Sequence, residues 1–153
     1  MMAAPRLALL VGALTWTSGG LAQTTLGALL DAGAKPVTTA QFKEELVQRV
    51  MSGPTPSGGK LEIVYTADGR LQGSGTQAST ASSVVPWAPI SGDWSDDDKG
   101  RICTSMRVGV TSAGSSVLLP KRCQYWYKLG TEYYFADSDT DRSAKVLSRA
   151  IKQ

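Results

Sequence analysis

The chain has no histidine. That absence excludes Ser-His-Asp and Cys-His catalysis, His-ligated zinc and the usual proton shuttle near neutral pH. Cysteine is scarce: only Cys103 and Cys123 occur, and the Cys-x-x-Cys spacing of a redox dithiol is missing. Two thiolates alone also make a poor metal site. No serine sits in a Gly-x-Ser-x-Gly elbow, and without histidine a serine nucleophile needs a lysine base. Long apolar runs are lacking too. The longest, Leu7 to Trp16, is about half of the roughly 20 residues that a membrane-spanning helix requires. No internal repeat of fixed period stands out.

That short run lies at the centre of the most informative stretch. Arg6 supplies a positive n-region, Leu7 to Trp16 an apolar h-region, and Gly20-Leu21-Ala22 small residues at −3 and −1 of a cleavage before Gln23. Residues 1–22 therefore read as a cleaved signal peptide, leaving residues 23–153 as one globular domain without a membrane span. No cysteine follows the cleavage point, so a lipid anchor there is not expected. Export to the periplasm or beyond the cell sets the chain in an oxidising compartment, where Cys103 and Cys123 are expected to form a disulfide. Closing a loop of that size restricts the unfolded chain by about 3 kcal/mol in the entropy model. The formal charge of +3 falls to +2 when Arg6, the one charge in the leader, is removed. So small and spread a charge points away from nucleic acid. Lys121-Arg122 and the stretch from Arg142 to Lys152 read as solvated faces.

Along the mature chain the hydrophobic period changes from helical to two. Leu26, Leu29 and Leu30 at helical spacing predict a short helix stopped by Gly33. Thr38 and Gln41 form a capping box in front of a second helix, whose stripe Phe42, Leu46 and Val50 is expected to run until Gly53-Pro54. Leu61, Ile63 and Tyr65 then alternate with polar neighbours as a strand, and Ala67-Asp68-Gly69 turns it into a hairpin arm through Leu71, Gly73 and Gly75. Residues 77–83 read as a polar loop. Further strands are expected at Gly92 to Ser95, Arg101 to Val110, Cys123 to Lys128 and Tyr133 to Ala136, with turns at residues 96–100, 112–116 and 129–132. A last helix is expected from about Ser143, with Val146, Leu147, Ala150 and Ile151 as its stripe and Asp141 as its cap. The expected fold is α+β: an antiparallel β-sheet meander of about six strands packed with N-terminal and C-terminal helices and held by one disulfide. Open sheet and closed barrel both fit this order.

Few residue patterns carry chemistry. Asp137, Asp139 and Asp141 alternate like the start of a calcium loop, but Arg142 stands where glycine belongs and Ser148 where glutamate belongs. Asp96-Asp97-Asp98 reads as a charged hairpin turn, and paired carboxylates for glycoside hydrolysis would need a buried acid in a cleft. No catalytic, cofactor-binding or metal-binding residue is assigned, and no cofactor is implied. The aromatic residues offer more. In the strand beginning at Cys123, Cys123, Tyr125 and Tyr127 share one face, and Gln124, Trp126 and Lys128 the other. Trp126, opposite the cysteine, is expected to be partly exposed and to form a possible binding surface with Trp94 and Tyr134.

The second half resembles a loose group of small exported bacterial domains of unknown function. The resemblance rests on a Gly-x-Trp step at Gly92-Asp93-Trp94, a turn and a Cys at Gly100-Arg101-Ile102-Cys103, and a second Cys before aromatics at Cys123-Gln124-Tyr125. It implies a compact sheet with a disulfide and transfers no catalytic residue. The functional expectation is an exported, non-catalytic module that binds a protein or a cell-envelope component. The alternative is a hydrolase of unrecognised type using carboxylates or lysine.

Overall fold

The computed structural model describes residues 24–76, 87–109 and 115–153. The expected signal peptide, the loop at 77–83 and most of the loop at 112–116 lie outside these residues. The elements are α1 (Leu26–Asp31), β1 (Lys35–Pro36), α2 (Thr39–Glu45), β2 (Val50–Pro54), β3 (Lys60–Tyr65), β4 (Arg70–Gly75), β5 (Ala88–Asp96), β6 (Ile102–Gly109), β7 (Ser116–Leu118), β8 (Arg122–Leu129), β9 (Glu132–Ala136) and β10 (Leu147–Ile151).

The strands close on themselves. β2 to β6 form a meander of successive antiparallel neighbours, β8 to β10 form a second, and the pairings β10–β2 and β6–β8 join the two into an eight-stranded antiparallel barrel. This corrects the expected α+β fold with a six-stranded meander. Two expected helical segments that are strands instead are responsible. Val50 to Pro54 is not the end of a helix but β2, and the expected C-terminal helix is β10. Each supplies a pairing without which the ring stays open. β1 and β7 are extra strands, on β8 and β6 respectively. β7 continues the line of β8 along β6. The step from Thr104 to Arg107 faces the longer step from Arg122 back to Leu118, so the break at Pro120-Lys121 holds one extra residue, a bulge where Pro120 has no N–H to donate.

Alternation assigns the faces. Leu61, Ile63 and Tyr65 of β3, Ile90 and Trp94 of β5, Trp126 of β8 and Phe135 of β9 are buried in one core. Their neighbours Gln72, Ser91, Asp93 and Arg107 point outward to solvent. Apolar inside and polar outside is the reverse of a membrane-spanning barrel, and among the described residues no helix is long and apolar enough to cross a membrane. Two glycines let the wall bend: a Cβ at Gly73 would lie 2.0 Å from the Glu62 carbonyl oxygen, and one at Gly92 1.9 Å from that of Ser105.

The two short helices occupy different places. α2 starts at the expected capping box, with Thr38 Oγ1 accepting from the Gln41 N–H at 3.2 Å and Gln41 Oε1 from the Thr38 N–H at 2.9 Å. It ends early, because Gln48 takes a left-handed φ of 69° and its N–H donates to the Tyr65 carbonyl at 2.7 Å, turning the chain into β2. α2 plugs one end of the barrel with Phe42 and Leu46, both fully buried. α1 instead lies outside the barrel, covering Tyr127, Tyr134 and Ala136 with Leu26 and Leu29 in a second cluster. Gly33, at φ 91°, ends it as expected.

Cys103 and Cys123 are directly paired in register and joined by the expected disulfide. The seam they staple, β6–β8, is held in register by three residue pairs, fewer than any other pairing that closes the ring apart from β10–β2 and β10–β9.

Candidate functional site

The plug forms a floor. Phe42 packs at ring-centroid distances of 5.2 Å from Tyr65, 5.4 Å from Trp94 and 5.1 Å from Trp126, at angles that suit edge-to-face and tilted aromatic contacts. Trp94 is locked there by its indole N–H, which donates to the Thr66 carbonyl at 2.9 Å. Above this layer the described residues leave the barrel unfilled. A cavity of about 570 Å³ runs from Tyr65 and Trp126 to the far end, walled by Leu61, Ile63, Ile90, Met106, Val108, Phe135 and Leu147. Its mouth is formed by Thr55, Pro56 and Ser57 of the β2–β3 turn, Gly75, Ala88, Gly109, and the partly exposed Val117 and Leu119. An eight-stranded barrel is the size at which the interior either fills with side chains or holds one small ligand.

One charge enters this apolar space. Arg149 of β10 is only 5% exposed. Its guanidinium stacks 4.8 Å from the Phe135 ring centroid, and Nη1 donates to the carbonyl oxygens of Pro54 at 2.7 Å and Ser148 at 2.8 Å. Gly53 makes room for it: a Cβ there would lie 2.2 Å from the Ser148 oxygen and 2.9 Å from Nη1. No carboxylate pairs with Arg149 among the described residues, and neither Nε nor Nη2 has an acceptor there. Neither nitrogen is sealed from open space, since no fully buried side-chain polar atom lacks a partner. Burial holds Arg149 below the usual arginine range, opposed by Tyr65. Burial also pushes the Tyr65 hydroxyl up to about 12, opposed in turn by Arg149. The Tyr65 hydroxyl has no hydrogen-bond partner among the described residues. Arg122, the other cation on the cavity wall, is already paired with Asp137 at 2.5 Å.

The remaining polar clusters are satisfied within the chain. At the end of α2, Glu45 accepts from Lys128 Nζ at 2.6 Å and from the Tyr133 hydroxyl, and this arrangement holds the carboxylate below its ordinary range, the Lys128 bond first and Tyr133 second. A shallow groove of about 340 Å³ runs beside it, between Lys35, Gln41 and Gly130. Asp97 accepts from Arg101 Nε at 2.8 Å and forms an ion pair with Nη2 of the same guanidinium at 2.7 Å. Asp97 and the two cysteines lie close together, but both sulfurs are committed to the disulfide. Of the alternating aspartates, Asp137 accepts from Arg122 and Gln124, while Asp141 accepts from Ser143 in a turn.

The aromatic residues singled out in the sequence are all buried: Trp126 is 5% exposed, Trp94 8% and Tyr134 7%. Trp126 is thus not the partly exposed residue expected; its face is the inside of the barrel and it lines the cavity. Trp94 lies in the floor beneath, and Tyr134 on the outer wall under α1. Sequence reasoning missed Arg149 altogether, because the stretch was read as a helix with a solvated basic face. It also passed over the Ser-x-x-Lys spacing of Ser57 and Lys60. Ser57 sits in a turn with Gly58 at φ 84° and Lys60 begins β3, so the pair is not on a helix, and Ser57 Oγ lies 3.1 Å from Thr55 Oγ1 with no bond to Lys60. No protein-family model matches the chain, and no curated protein or solved structure matches it.

Proposed function

We propose that this chain is a non-catalytic binding protein whose site is the inside of its barrel, and that its ligand is a small, mainly apolar molecule. One observation carries the reading. The barrel holds about 570 Å³ of apolar-walled space, within the roughly 300–1,000 Å³ of ordinary ligand sites, and two buried polar groups lining it, Arg149 and Tyr65, keep hydrogen-bond donors without an acceptor among the described residues. Core packing alone does not account for this, because protein interiors are close-packed and a void of this size forfeits dispersion contacts along its whole lining. The disulfide agrees with an exported chain acting in an oxidising compartment, periplasmic or secreted. In that setting a component of the cell envelope is the natural occupant, held within the barrel rather than on an exposed sheet face.

Fluorescence enhancement of N-phenyl-1-naphthylamine, an uncharged apolar dye, tests the reading. The wild-type protein should saturate at micromolar dye. Val108→Trp, which puts a bulky ring into the cavity from its wall, should abolish the signal while keeping the native circular dichroism. A wild-type protein that gives no enhancement overturns the proposal, as does a signal that survives in folded Val108→Trp.

A further inference from the structure

Resting on that reading, we infer that the ligand is an amphiphile carrying a single carboxylate, an apolar chain with an acid group, and that the free edge of Arg149 receives the acid. A guanidinium has five N–H donors. Nη1 is engaged by Pro54 and Ser148. What remains is the Nε and Nη2 edge, whose two parallel N–H bonds match the spacing of carboxylate oxygens. An uncompensated buried charge is costly, and an anion set against it returns the partner that the chain itself does not provide. The Tyr65 hydroxyl can add a third donor from the floor.

Charge counting selects the headgroup. Among the described residues, Arg149 and Arg122 are the two cations lining the cavity, and Arg122 is neutralised by Asp137. One free positive charge matches a monoanion, whereas a phosphate monoester would bring a second negative charge with no partner. The rest of the cavity selects the chain. Its walls are aliphatic and aromatic from Phe135 to Val108, and the apolar surface continues past the mouth onto Val117 and Leu119, which are 53% and 38% exposed. An apolar tail longer than the cavity would meet apolar surface at the mouth.

The experiment compares cis-parinaric acid with its methyl ester on the delipidated, oxidised protein. The two differ only in the charge that Arg149 would meet. For wild type, the acid should bind at least about tenfold more tightly than the ester, as expected for losing a charge-assisted hydrogen bond. In Arg149→Met the two should bind alike, at the level of the wild-type ester. Arg149→Lys should recover part of the difference. The preference for the acid should vanish as pH falls through the ligand carboxylate's own titration, while ester binding stays level. Acid and ester binding wild type within twofold of each other would overturn the carboxylate assignment even if Arg149→Met failed to fold, and the cavity reading would survive if the neutral dye still bound. A preference that persists in folded Arg149→Met would overturn the role of Arg149. Failure of the acid, the ester and the neutral dye alike would instead remove the underlying reading.

Discussion

Arg149 and Glu45 carry opposite charges, and their surroundings differ accordingly. Glu45 stands at the barrel's plugged end with its partners supplied: Lys128 and Tyr133 both donate to Oε2. A carboxylate held below its ordinary range binds its proton less readily when folded than when unfolded, so it adds stability above the unfolded value, near pH 4.3, and loses it as pH falls through the folded one. Glu45→Gln should therefore be less stable than wild type at neutral pH, and the gap should close between about pH 5 and pH 3. Urea unfolding at a series of pH values checks this; a gap that stays constant with pH would show that the charge contributes nothing. Arg149 has no such partner, and it explains a misreading. In β10 the inward residues are Leu147, Arg149 and Ile151, so a cation sits in the middle of the apolar alternation. With the period-two signal broken, Val146, Leu147, Ala150 and Ile151 look like a helical stripe. The residue that gives the cavity its character is also the one that hid the strand.

At the scale of elements, α2 closes one end of the barrel. Its seven residues make it too short to be stable alone; the capping box starts it and Phe42 anchors it among Tyr65, Trp94 and Trp126. Phe42→Ala should cost about 3–5 kcal/mol, measured by denaturant unfolding, and a loss under 1 kcal/mol would mean that the plug is not part of the core. The start of α2 was legible because capping chemistry is local: Thr38 and Gln41 need only each other. Its end was not, since Val50 falls at the next helical step after Phe42 and Leu46, and the turn at Gln48 is imposed by the Tyr65 carbonyl far along the chain. The same contrast holds for β8. Alternation correctly paired Cys123 with Tyr125 and Tyr127, and Trp126 with Gln124. It cannot say which face is inside, since a period of two is symmetric about the strand. α1 covers Tyr127 and Tyr134 from outside, so both faces are buried there.

For the whole molecule, closure is what the sequence left open. The strands from Lys60 to Ala136 were largely readable one by one, yet a meander and a barrel share them; the difference lies in β2 and β10 and in the β6–β8 seam. The disulfide staples that seam beside three register pairs. Replacing both cysteines by serine should lower stability by about 3 kcal/mol while leaving the barrel folded. Reductant should have the same effect on wild type and none on the double variant, read as the shift in guanidinium midpoint. Equal midpoints for wild type with and without reductant would show that the seam does not depend on the bond.

The cavity itself is most directly tested by methyl NMR during titration with N-phenyl-1-naphthylamine. Resonances of Ile63, Ile90, Met106, Val108 and Leu147, which surround the space, should shift together and saturate at one equivalent, while those of the exposed Val50 and Leu118 stay in place. Shifts confined to Val50 and Leu118, or interior methyls unmoved at saturating dye, would contradict a barrel that binds its ligand inside.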